Sequence, residues 1–123
     1  MILINEGYRP EQPHIPTREE IIDSLKDKPL YTEADIEQLQ LFLKKEQEEA
    51  VKTHGPYACV KFSIFTAKLY FDLGLTEEAN TSAIAACTVF DNEMKLLENK
   101  DLPQVLSSLG GELEKVLHEI NLL

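Results

Sequence analysis

The most apolar stretch of the chain runs from Pro56 to Gly74 and limits the folds that the sequence can adopt. Five aromatic residues lie in it, and its three charged residues, Lys61, Lys68 and Asp72, stand seven and four positions apart. These spacings place the charges on one narrow stripe of a helix that is apolar elsewhere. Such a helix needs partners on several sides, and the stretch is shorter than the roughly 20 residues that span a bilayer. We therefore predict a central core helix covered by other helices.

Signals for four further helices surround this stretch. Thr17 and Thr32 each have an acidic residue three positions later, a spacing typical of a capping box at a helix start. Thr76 is the predicted N-cap of the helix that follows the central one, and Asp101 is the predicted N-cap of the last helix. The predicted ranges are about 18–27, 33–53, 56–74 and 76–98, followed by a last helix after residue 101.

The last predicted helix contains two adjacent glycines, Gly110 and Gly111. Its apolar positions keep one helical phase across both glycines, which favours a single kinked helix, although each glycine costs about 1 kcal/mol relative to alanine. Two separate helices, divided at the glycines, are the alternative. The apolar positions are Leu102, Val105, Leu106, Leu109, Leu113, Val116, Leu117 and Ile120.

Residues 1–16 differ from the rest of the chain because they contain three prolines and a glycine. Each proline fixes its own backbone and disfavours helical geometry in the residue before it. We predict an extended N-terminal arm over 1–16 and a single helical domain over 17–123. Whether the arm packs on its own domain or on a neighbouring chain stays open. The predicted fold is all-α, an antiparallel helical bundle of about five helices with a short first helix.

The net charge of −10 and the isoelectric point near 4.7 restrict the partners that the chain can bind. An acidic surface repels nucleic acids and anionic lipids, so we expect neither as a partner. Only two arginines are present, Arg9 and Arg18, although arginine is the residue most suited to binding phosphate. No basic residue precedes the short apolar run at residues 1–4, which gives a cytoplasmic protein as the expectation.

No sequence motif for catalysis or for cofactor binding is found. Cys59 and Cys87 belong to no CxxC pair, and we predict that both are reduced and buried in the core. No histidine has the Glu-x-x-His spacing of a di-metal site, and no nucleophile elbow or phosphate-binding glycine loop occurs. His54 is interpreted as a helix C-terminal cap. We expect no cofactor, no metal and no enzymatic activity.

The central helix and the next one share a pattern of small residues around a glycine turn. Ala67, Tyr70, Gly74, Ala79 and Ala86 stand at the intervals found in tetratricopeptide repeats, which are two-helix units of about 34 residues. The segment 60–93 therefore resembles one degenerate repeat of that family. The resemblance implies a helical hairpin and, as an expectation, binding to another protein. The predicted inner face of the second hairpin helix consists of Ala79, Ala83, Ala86, Cys87, Phe90, Met94 and Leu97.

The function predicted from these features is that of a small acidic protein-binding module: a regulator, adaptor, chaperone or inhibitor whose partner has a basic surface. The alternatives are a homodimeric structural or assembly protein and an immunity or antitoxin protein that neutralises a basic toxin. A further interpretation is that the acidic residues only keep the protein in solution and bind no partner. The candidate partner-binding residues are Glu46, Glu48, Glu49, Lys61, Lys68 and Asp72.

Overall fold

The computed structural model describes residues 15–122, and these form five α-helices and no strand. A single 3₁₀ turn, Gly55–Tyr57, joins the second helix to the third. The all-α bundle with a short first helix is thus confirmed, while the predicted arm lies outside the described residues except for Ile15 and Pro16. The helices are α1 (Arg18–Leu25), α2 (Glu33–His54), α3 (Ala58–Asp72), α4 (Thr76–Leu97) and α5 (Gln104–Glu119).

Both predicted capping boxes are present. The Thr17 hydroxyl accepts a hydrogen bond from the Glu20 backbone N–H, and the Glu20 carboxylate accepts one from the Thr17 N–H at 2.8 Å. Thr32 and Asp35 make the same two bonds at the start of α2. Each box satisfies two backbone donors that a helix start leaves without a partner, and so fixes where α1 and α2 begin.

The predicted starts of α4 and α5 are wrong in detail. Thr76 is the first helical residue of α4, because the carbonyl of Leu75 already accepts the Ala79 N–H at 2.9 Å. Pro103 occupies the N-cap position of α5, because its carbonyl accepts the Ser107 N–H at 2.9 Å. No side chain caps either helix. Asp101 stands two residues before this cap, since the fixed backbone of Pro103 sets the start of the helix.

Helix α5 continues through Gly110 and Gly111 without interruption, so the alternative of two helices is wrong. The two glycines differ in their surroundings. A Cβ atom on Gly110 would lie 3.0 Å from the ring of Phe90 in α4, whereas a Cβ atom on Gly111 would meet nothing within 4 Å. Gly110 therefore allows α5 to approach the aromatic ring of α4 closely.

Helix α3 contributes to two separate hydrophobic cores, as its apolar circumference predicts. The α3–α5 core combines residues of α3 and α4 with the apolar stripe of α5 and its C-cap. The α1–α3 core combines α1 and α2 with the C-terminal part of α3. The buried residues of the first are Val60, Ile64, Ala67, Ala83, Ala86, Leu109, Leu113, Val116 and Ile120, and those of the second are Ile21, Leu25, Phe42, Leu69 and Leu73.

The α3–α4 hairpin packs through small side chains, and Ala67, Ala79, Ala83 and Ala86 are all 0% exposed. Gly74 closes the turn at a φ of 84°, a backbone conformation that favours glycine. This packing is the hairpin expected from the small-residue pattern.

Two predicted core positions are not buried. Met94 is 38% exposed, because it lies in the last turn of α4, and Cys59 is exposed in the first turn of α3. Successive helix residues point about 100° apart, so the burial of Val60 turns the neighbouring Cys59 away from the core. Cys87 is partly buried, and neither cysteine forms a disulfide.

Candidate functional site

Two clefts border α3, one towards α2 and the other towards α5. Both are lined by Lys61 and Phe65 of α3. We call the two together the α3 groove, with an α2 wall and an α5 wall. The groove exists because α2 and α5 pack on different sides of α3 and belong to different cores.

The α5 wall borders a cleft of about 350 Å³ whose floor includes the buried residues Ile64 and Val116. Two ion pairs cross from α3 to α5 along this cleft. Lys61 Nζ lies 3.1 Å from Glu112 Oε1, and Lys68 Nζ lies 2.9 Å from Glu119 Oε1. Both pairs join residues 51 positions apart, so α3 and α5 run parallel and in a constant register. The intervening α4 is antiparallel to both.

Lys68 makes further contacts at the end of the groove. Its Nζ lies 3.4 Å from Asp72 Oδ1 and 5.9 Å from the centre of the Phe71 ring. Asp72 also accepts a hydrogen bond from Arg18 of α1. The hydrogen bond to Glu119 and the negative charge of Asp72 raise the pKa of Lys68 above its ordinary value, against the opposing effect of burial. The ammonium group of Lys68 is therefore charged at neutral pH and held by two carboxylates.

The α2 wall borders a narrower cleft, lined by Glu46, Glu49, Ala50 and Thr53 opposite the aromatic side chains of α3. Phe65 contacts two other rings, Phe42 at 5.7 Å and Phe62 at 6.5 Å between centroids, so its position is fixed by packing. Glu46 is half-buried and Glu49 is exposed, and neither forms an ion pair with any residue of 15–122. The α2 wall therefore carries two carboxylates without a cationic partner among the described residues.

The structure brings five of the six predicted binding residues to this groove or its end. Glu46, Glu49, Lys61 and Lys68 line it, and Asp72 contacts Lys68. Glu48 does not line it. It lies in a separate cleft along α2, together with Ile15, Leu41 and three lysines.

The α5 wall was not predicted from the sequence. Glu112 and Glu119 stand seven residues apart, the same spacing as Lys61 and Lys68, and this match is the one sequence signal that relates the two pairs. Phe62 and Phe65 were expected to be core residues, whereas each is partly exposed and forms part of the groove floor. The polar stripe of α3 is thus bonded to its own chain and not simply exposed to water.

No group of three or more His, Cys, Asp or Glu side chains in residues 15–122 is arranged to hold a metal ion. Among the helices described, none has the length and apolar character to cross a membrane. Comparisons with protein-family models, with curated proteins and with solved structures find no match to this chain. The groove is therefore interpreted from its own geometry.

Proposed function

We propose that this chain binds a basic segment of another protein in the α3 groove. The observation that carries the proposal is that the two clefts share Lys61 and Phe65 and so combine an aromatic and aliphatic floor with carboxylates on both walls. The lining contains four carboxylates, Glu46, Glu49, Glu112 and Glu119, and three lysines, Lys61, Lys68 and Lys115. Apolar contacts on such a floor supply affinity, and the charged walls select the partner and its orientation. No residue of the sequence is assigned a catalytic role.

The charge of the chain supports a basic partner over an acidic or neutral one. A net charge of −10 attracts basic proteins from a distance and raises the rate of encounter, with an effect that falls as salt increases. Glu46 and Glu49 provide carboxylates that form no ion pair with a described side chain. Inhibition of a basic toxin would be one form of this function, and the cytoplasm is the compartment in which we propose it operates.

The proposal predicts that charge reversal on the α2 wall weakens binding. A displayed peptide library is selected against the intact chain, and the selected peptides are then measured by fluorescence anisotropy against Glu46→Lys. We expect basic peptides to be enriched and the variant to bind at least about tenfold more weakly, as the loss of one or two charge contacts implies. Glu48→Lys is the matched control, because it makes the same charge change on α2 outside the groove.

Two results would contradict the proposal. One is equal loss of binding in Glu46→Lys and Glu48→Lys, which would show that only the overall charge matters. The other is selection of peptides without basic residues, whose binding would not change between low and high salt.

A further inference from the structure

We infer that the segment bound in the α3 groove is an amphipathic helix with lysine or arginine at two positions seven residues apart. We also infer that Lys61 and Lys68 occupy the places of those cations while the groove is empty. The inference deepens the proposed function and rests on it, since it requires that the groove bind a protein.

The spacing of the carboxylates on the α5 wall favours a helix as the occupant. Glu112 and Glu119 are separated by seven helical residues, which corresponds to a rise of about 10.5 Å. Residues i and i+7 of a second helix have the same rise and nearly the same direction. In a strand, about three residues cover this distance at roughly 3.3 Å each, and residues three apart point to opposite faces. The nearest same-face spacings of a strand, about 6.6 and 13.2 Å, match this distance less well than i and i+7 of a helix.

Helix α3 itself shows how such a pattern fits α5. Lys61 and Lys68 pair with Glu112 and Glu119 while the residues between them, Ile64 and Phe65, lie at the groove floor. The pattern is a cation, two adjacent apolar residues at the third and fourth positions after it, and a second cation at the seventh. An incoming helix with this pattern would place its apolar residues over Phe65 and its two cations beside Glu112 and Glu119 of the α5 wall.

The existing ion pairs can be exchanged at little cost. The side chains of Lys61 and Lys68 are 33% and 37% exposed, and those of Glu112 and Glu119 are 44% and 40% exposed. Ion pairs with this much exposure contribute little to stability. An arginine of the partner, which binds a carboxylate through two N–H groups, can replace a lysine that binds through one. The lysines of α3 then compete with the partner for the same carboxylates.

The test uses three fluorescent peptides of related composition and the full chain. The first peptide carries arginine at i and i+7 with leucine and phenylalanine between them, and a side-chain staple on its outer face keeps it helical. The second has the same residues with the arginines at i and i+5, which point to different sides of a helix. The third repeats the first sequence without the staple and with a central proline, which breaks the helix.

The first peptide is expected to bind at least about tenfold more tightly than the other two. Lys61→Gln/Lys68→Gln should bind it about two- to fivefold more tightly than the unaltered chain, because competition for the carboxylates is removed. Glu112→Gln/Glu119→Gln should bind it about tenfold more weakly. Glu114→Gln, an exposed change on α5 that does not line the groove, should leave binding unchanged. Circular dichroism verifies that each variant is helical.

The possible failures separate the inference from the proposed function. If all three peptides bind equally and Glu46→Lys abolishes the binding of each, the groove binds basic segments and the helical register is overturned. If Lys61→Gln/Lys68→Gln binds the first peptide more weakly, the lysines contact the partner directly and the exchange is overturned. If no peptide binds the folded chain, the inference and the proposed function fall together.

Discussion

Asp35 is the residue of the described chain whose ionisation is most directly tied to a helix start. A hydrogen bond from Lys28 is the main cause that lowers the pKa of the Asp35 carboxyl below its ordinary value of 3.8, and the backbone N–H of Thr32 adds to it. Since the folded pKa lies below the unfolded one, this carboxylate stabilises the fold above about pH 3.8. That stabilisation is lost as the pH falls through the folded pKa.

This linkage gives the first prediction at the residue scale. Asp35→Asn should be less stable than the unaltered chain at neutral pH, and the difference should shrink as the pH falls through the acidic range. Urea unfolding at a series of pH values between neutral and 2 measures it. Glu37→Gln, an exposed change in the same helix, is the control and should show no comparable trend. A difference that stays constant with pH would contradict the prediction, because the loss of stability would then not depend on the ionisation of Asp35.

Gly74 provides a second test at the residue scale. Its φ of 84° strains any other residue, and a Cβ atom there would lie 2.7 Å from Asp27 Oδ1. The Asp27 side chain can rotate away, but the backbone strain remains. We therefore expect Gly74→Ala to lower the free energy of unfolding by about 1–2 kcal/mol. Chemical denaturation checks this value, and an unchanged stability would mean that the α3–α4 turn adopts another conformation.

Helix α5 offers a matched pair of substitutions at the scale of an element. Gly111→Ala should raise the free energy of unfolding by about 1 kcal/mol, because alanine is the better helix former and its Cβ meets open space. In Gly110→Ala the same gain in helix propensity is opposed by crowding, because the new Cβ atom would lie 3.0 Å from the ring of Phe90. Thermal unfolding should therefore rank Gly111→Ala above Gly110→Ala. The reverse order would mean that α5 does not approach Phe90 as closely as described.

The elements differ in how far the sequence predicts them. The capping boxes of α1 and α2 depend on side chains within four residues of one another, so the local sequence predicts them. The apolar positions of α5 keep one helical phase across two glycines, so the local sequence also predicts that this helix is continuous. The local sequence does not predict the starts of α4 and α5. The backbone carbonyls of Leu75 and Pro103 begin those helices, whereas Thr76 and Asp101 were the predicted N-caps. The exposure of Cys59 depends on which side of α3 packs on the core, since the neighbouring Val60 is the buried residue.

The local sequence likewise predicts only part of the groove. The polar stripe of α3 was predicted from its spacing, but its partners on α5 lie 51 residues away in sequence. Nothing local indicates that α3 and α5 are parallel in the register that pairs Lys61 with Glu112. The sequence predicted part of the α2 wall. Glu46 and Glu49 line the groove as predicted, whereas Glu48, predicted with them, lines a different cleft of α2.

At the scale of the whole molecule, α3 makes the two cores dependent on each other. Leu69 belongs to the α1–α3 core and Leu109 to the α3–α5 core, and both are 0% exposed. We expect Leu69→Ala and Leu109→Ala each to lower the free energy of unfolding by about 2–5 kcal/mol. Either change should reduce the protection of amides in both α1 and α5 against hydrogen exchange. Loss of protection in only one core would show that the two unfold separately.

The division into two cores also has a consequence for the order in which the chain folds during synthesis. Every residue of the α1–α3 core, including those packed at its edge, lies between Ile21 and Leu75, whereas the α3–α5 core extends to Ile120. A ribosome that has released the first 75 residues has therefore already supplied one complete core. The other face of α3 is covered only in part, by α4, until α5 emerges. A chaperone that binds the nascent chain would find its apolar target on α3 during that interval.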